Sequence, residues 1–154
     1  MDFSFRLLWV LVLLLAVRGS RWAYLAFVVL GLLYFPMEGG WHLQAPRCQI
    51  GFDIALALDS LMHYAHVALF AAFYVVSAAH FSAHRESFGP VTGPAFGATM
   101  VMGLAVELMQ GISGEGNCRM RDLLPDAAGA CIALGVWNAG RWVATRVGRR
   151  RRGR

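Results

Sequence analysis

Residues 55–81 read ALALDSLMHYAHVALFAAFYVVSAAHF. One carboxylate, Asp59, interrupts the run, and no arginine or lysine does. It is longer than the roughly 20 apolar residues that carry an α-helix across the hydrocarbon core of a bilayer. Working outward, further hydrophobic runs cover residues 3–17, 22–37, 92–112 and 122–147. Five helical segments are therefore expected, and the fold class is all-α, a polytopic transmembrane bundle of four or five spans. The count turns on the first two runs, which are shorter than a standard span and separated only by Arg18, Gly19, Ser20 and Arg21. They form a tight hairpin, a bent helix or a partly interfacial pair. The expected organisation is N-terminal hydrophobic segments over 1–37, a transmembrane core over 38–147 and a basic cytoplasmic tail over 148–154.

Composition agrees with this division. The chain is 58% hydrophobic and 15% charged, against about a quarter charged in soluble domains. Its net charge of +5 is concentrated in arginines at the end of the last apolar run, at Arg141, Arg146, Arg149, Arg150, Arg151, Arg152 and Arg154. A cluster there reads as a stop signal facing anionic cytoplasmic lipid. Nucleic acid is not an expected partner, because no basic patch interleaved with aromatics occurs elsewhere. The first run resembles a signal-peptide core, but no small-x-small cleavage site precedes Arg18, so it is expected to be retained.

All the cationic residues besides histidine are arginines, and their distribution sets the orientation. If all five segments span, Arg18, Arg21, Arg85 and the arginine tail share the cytoplasmic side. Arg6, Arg47, Arg119 and Arg121 fall on the other. The C-terminus is then cytoplasmic, and the connectors 37–54 and 113–121 lie together on the outer face. Cys48 and Cys118 lie in these connectors, where they either bridge in an oxidising compartment or remain separate thiols. Cys131, within the last run, reads as a small packing residue.

Ionisable groups inside spans are costly, yet three segments carry them. Asp59 and His63 stand at i, i+4, with His66 beyond them, along one expected helical face. Glu107 and Gln110 close the fourth segment, and Arg119, Arg121, Asp122 and Asp126 open the fifth. At about 1.5 Å per residue, His63, Glu107 and Asp126 fall at one depth near the outer helix ends. That level is expected to be a polar site opening outward, or else an interhelical network that joins the bundle. Gly103, Gly129 and Gly135 permit close helix approach beside it. Asn138 reads as an interhelical hydrogen bond, and His80 and His84 as interfacial residues.

The blocks Asp59-x3-His63, Glu107-x2-Gln110 and Arg119-x2-Asp122-x3-Asp126-x2-Gly129 resemble the VanZ-like family of integral membrane proteins. The resemblance runs from Asp53 to Gly140 and makes 38–147 the VanZ-like core. It departs at Asp126, where the family pattern usually has asparagine, and at Gly114 to Cys118, where the family has a short Pro-Gly type turn. It implies a multi-pass protein of the cell membrane and envelope with a link to reduced teicoplanin susceptibility, and it supplies no molecular activity.

Two functions are weighed first, and a third class, a small transporter or accessory subunit whose carboxylates relay protons, lacks the internal inverted repeats that would favour it. In the first, the outer site binds an envelope lipid, a cell-wall precursor or a glycopeptide, with Arg119 and Arg121 meeting an anionic group that Glu107 and Asp122 help to orient. In the second, the protein is a membrane-embedded hydrolase or transferase acting on an envelope lipid or precursor, with His63 as general base and carboxylates assisting. No cofactor is expected, and the spacing lacks a decisive metal motif. Gly111-Ile112-Ser113-Gly114 spells the GxSG of rhomboid proteases, but every histidine precedes it, and a turn accounts for it.

Overall fold

The computed structural model describes residues 3–34, 45, 48–49, 51, 53–62, 64–84, 91–113 and 118–152. Among the described residues, six helices carry the fold: α1 (Phe3–Val17), α2 (Arg21–Tyr34), α3 (Ile54–Ser60), α4 (Tyr64–Ala83), α5 (Thr92–Ser113) and α6 (Leu123–Arg152). One parallel two-residue pairing joins β1 (Cys48–Gln49) to β2 (Cys118–Arg119). A 3-10 turn over Met120–Asp122 leads into α6.

Of the three options for the first two runs, the chain takes the hairpin. Gly19 turns the backbone at φ +94°, a conformation that L side chains disfavour and glycine accepts. Ser20 then caps α2 by accepting the Ala23 N–H on its hydroxyl at 3.3 Å. The Gly19 turn sits against Ala83 and His84 at the end of α4.

The run 55–81 does not form one helix. It is divided into α3, which ends at Ser60, and α4, which starts at Tyr64. Asp53 starts α3 as its N-cap, accepting the N–H groups of Ala55 and Leu56 at 2.8 and 3.2 Å. The Leu61 N–H returns to the Leu58 carbonyl and that of Met62 to Asp59, closing the short helix. Apolar composition made this run look continuous, and local capping divides it. At the other end of the chain, α6 passes through the expected tail boundary and stays helical to Arg152.

The core lies where α4 meets α5, α6 and the α1–α2 hairpin. Tyr74, Ala78, Ala95, Ala130 and Ala133 form one buried cluster, and Phe70, Phe73, Met102 and Val106 another. α4 and α6 approach closely at Gly129, where a Cβ would collide with the carbonyl oxygen of Val67. α4 and α5 are each long and apolar enough to cross a membrane, and only 39% of each apolar window is buried in the bundle. Leu7–Val17 and Arg21–Leu33 are shorter apolar helices.

Three packing expectations are corrected. Cys131 is exposed rather than packed, and Asn138 is exposed on α6 rather than set between helices. Both follow from the face that α6 turns inward, marked by Asp126, Gly129, Ala130 and Ala133. His80 is buried instead of interfacial. Its Nδ1 contacts the Ala16 carbonyl at 3.0 Å, and its ring stacks on Tyr24 at 4.3 Å.

Candidate functional site

The polar residues gather at the end of the bundle where α5 finishes and α4 and α6 begin. The 3.6-residue period places Ala95, Thr99, Met102, Gly103, Val106 and Glu107 on the buried side of α5. Glu107 is fully buried. Its Oε2 accepts the backbone N–H of Arg119 at 2.8 Å, so the carboxylate pins the β2 segment to the end of α5. Its Oε1 is buried with no hydrogen-bond partner among the described residues.

Asp126, in the first turn of α6, is also fully buried. His66, in the first turn of α4, donates from Nδ1 to Asp126 Oδ1 at 3.2 Å. Asp126 Oδ2 is buried, with no hydrogen-bond partner among the described residues. It rests on Gly103, where an added Cβ would lie 2.7 Å from it. Gly103 is thus the recess in α5 that admits the α6 carboxylate. His66, Asp122 and Asp126 all lie within Coulombic range of Glu107.

The arginines occupy the rim. Arg119 is half-buried, and its Nε is enclosed without a hydrogen-bond partner among the described residues. Arg121 Nε approaches Asp122 Oδ1 at 3.8 Å, with both side chains about four-fifths covered. The Arg121 carbonyl accepts the Ser60 hydroxyl at 3.4 Å and so ties α3 to this end. A disulfide joins Cys48 to Cys118, with Cα atoms 4.5 Å apart, directly before Arg119. It holds the 48–49 and 118–119 segments together over the cluster.

Glu107, Asp126, Arg119, Arg121 and Asp122 are therefore collected at one end, and Gln110 follows one turn after Glu107, half-covered, its carbonyl accepting from Ser113 Oγ at 3.2 Å. Asp59 is not part of the group. It is exposed on α3, a separate helix from the α4 that carries His66. His63 lies outside the described residues. The histidine of the cluster is His66, which its sequence position marks less clearly than the i, i+4 pair before it. Its signal is the spacing of Tyr64 and His66 within the first turn of α4, which becomes readable only once the helix start is known. Among the described residues, no three of His, Cys, Asp and Glu are grouped so as to hold a metal ion.

Buried carboxylates with an unused oxygen each are costly in an apolar interior. They can accept hydrogen bonds from a ligand, and the enclosed guanidinium of Arg119 can supply donors to an anionic group. Comparison of the chain with protein-family models, with curated proteins and with solved structures yields no match.

Proposed function

We propose that this chain is a VanZ-like multi-pass membrane protein of the cell envelope, with its C-terminus in the cytoplasm. In this reading the cluster around Glu107, Arg119 and Asp126 opens outward and binds an anionic envelope ligand. The ligand is a lipid headgroup or a cell-wall precursor, and a glycopeptide is the exogenous counterpart. Lipid surroundings suit the apolar faces that α5 and α6 turn outward, with Val101 69%, Ile132 58% and Val136 67% exposed. The disulfide beside the cluster suits an oxidising compartment outside the cytoplasm. The positive-inside rule assigns the arginine-rich end of α6 to the cytoplasm.

The observation that carries the binding reading is the division of labour at Arg119. Its backbone N–H bonds Glu107 Oε2, while its side-chain Nε is enclosed without a hydrogen-bond partner among the described residues. Arg119→Ala therefore removes the ligand donors and keeps the structural bond. The test is expression of the parent and Arg119→Ala, with extraction of membranes at alkaline pH and measurement of teicoplanin susceptibility. Parent and variant retained in membranes, with the susceptibility change lost only in the variant, supports the proposal. Release of the parent into the soluble fraction, or a variant that behaves as the parent does, overturns it.

A second reading, the membrane-embedded hydrolase or transferase, has one observation in its favour. The His66–Asp126 contact is the arrangement that orients an imidazole as a general base. The base would then be His66 in place of His63.

A further inference from the structure

On another side of α4 and α5, facing the α1–α2 hairpin, lies a cavity of about 200 Å³. Its walls include Trp9, Phe27, Gly31, Phe70, Phe73 and Met102 and are apolar throughout. Protein interiors hold few voids larger than a water molecule. Water needs polar partners that this lining does not offer, whereas an apolar void of about 150 Å³ admits a benzene-sized guest. Gly31 of α2 lies on the cavity wall against Met102, whose Cε would be 2.9 Å from a Cβ added there. Aromatic contacts brace the lining: Phe27 stacks on Phe73 at 5.4 Å, and Trp9 meets Phe27 edge-on at 6.0 Å.

We propose that this cavity holds an acyl chain of a bilayer phospholipid. The inference rests on the membrane reading above and names a ligand for a different part of the bundle. The lining selects hydrocarbon, since no polar atom is present to recognise a headgroup. Depth selects the source. Leu69, Ala72, Phe73 and Val76 occupy the middle of α4, a helix of membrane-spanning length, so they lie level with lipid tails and not with headgroups. The mouth is lateral, because Leu13 and Ala72 both line the cavity and are exposed on the outside of the bundle. Phe70 also stacks on the His66 ring at 6.3 Å, so the chain site and the polar cluster share a wall.

The experiment uses the full chain reconstituted in phosphatidylglycerol and phosphatidylethanolamine, then exchanged into lipid-free detergent, with retained lipid identified by extraction and mass spectrometry. Two variants close the space independently: Gly31→Leu from within and Ala72→Phe at the mouth. The parent is expected to keep roughly one phospholipid per chain, and each variant about tenfold less, at parental membrane yield. Should one variant misfold, the other carries the comparison. Equal retention by parent and folded variants overturns the proposal, as does retention of free fatty acid without phospholipid. A parent that keeps no lipid and gains thermal stability from Gly31→Leu has an empty cavity, which also overturns it. Membrane retention at alkaline pH is scored in the same preparations. A parent held in membranes without bound lipid sinks this inference alone, whereas a soluble parent sinks the membrane reading with it.

Discussion

Alanine at Gly129 and at Gly135 should change stability in opposite directions, although both glycines lie on α6. At Gly129 the new methyl meets only backbone: the Val67 carbonyl oxygen, Ala71 N at 3.0 Å and Val67 C at 3.1 Å. No rotamer change relieves that contact, so α6 must move away from α4 along the interface that contains Tyr74, Ala130 and Ala133. Overpacking costs about 1–3 kcal/mol, and the rigidity of the neighbours places this case at the upper end. The gain in helix propensity returns about 1 kcal/mol, which leaves a net loss of about 2 kcal/mol. At Gly135 nothing lies within 4 Å of the new methyl, so the propensity gain of about 1 kcal/mol stands alone. The two variants should differ by about 3 kcal/mol, or roughly 6–12 °C in thermal midpoint at 2–4 °C per kcal/mol for a chain of this size. Thermal unfolding in one detergent, followed by far-ultraviolet circular dichroism, measures the gap. Equal midpoints, or a Gly129→Ala variant as stable as the parent, would refute the close α4–α6 approach.

Glu107→Ala should cost about 1.5–3 kcal/mol, because it strands the buried Arg119 N–H, whereas Glu107→Gln retains an acceptor and most of that stability. Paired thermal midpoints check this, and equal losses for the two variants would remove the Arg119 N–H bond from the account. Cys48→Ser opens a closure spanning 70 residues and should cost about 2–4 kcal/mol. Maleimide labelling of the freed Cys118 alongside the midpoint tests it, and a cysteine pair that labels fully in the untreated parent would contradict the bridge. Gly103→Ala should displace the Asp126 carboxylate, which lies 2.7 Å from the new methyl, and so weaken its contact with His66. The readout is the His66 imidazole chemical shift in detergent, and a shift unchanged from the parent would argue against Gly103 as the recess.

Helix existence was readable because each apolar run is long, and the expected segment 92–112 differs from α5 by one residue at its end. The division between α3 and α4 was not readable from apolar content, since Leu61 and Met62 continue the hydrophobic run. Its cause is the turn after Ser60, where the Leu61 and Met62 N–H groups return to the Leu58 and Asp59 carbonyls, a local backbone event. That break explains the misplacement of Asp59, because an i, i+4 relation aligns side chains only while the helix continues. Glu107 and Asp126 were legible for the opposite reason: each lies well inside an unbroken helix or its first turn, so counting residues fixes its level. The Arg119 contact could not be foreseen as it stands, because a sequence displays guanidinium groups and hides the backbone N–H that Glu107 takes instead.

Asp126→Asn separates the two functional readings. Asparagine has the shape of aspartate, and its Oδ1 can still accept from His66, so the geometry around Gly103 survives. Removing a buried charge from apolar surroundings is neutral or stabilising when the hydrogen bonds remain. If the cluster binds a ligand through Arg119, with Asp126 serving to fix His66 and the α4–α6 contact, the variant keeps its effect on teicoplanin susceptibility. If His66 is a general base, the carboxylate must hold the ring and stabilise the imidazolium formed during reaction, and the same exchange in a catalytic triad lowers turnover by about 10⁴-fold. The susceptibility effect should then vanish while the thermal midpoint holds. An effect retained at parental protein level excludes the catalytic role for the His66–Asp126 pair; an effect lost with the fold intact excludes a purely structural role for the Asp126 charge.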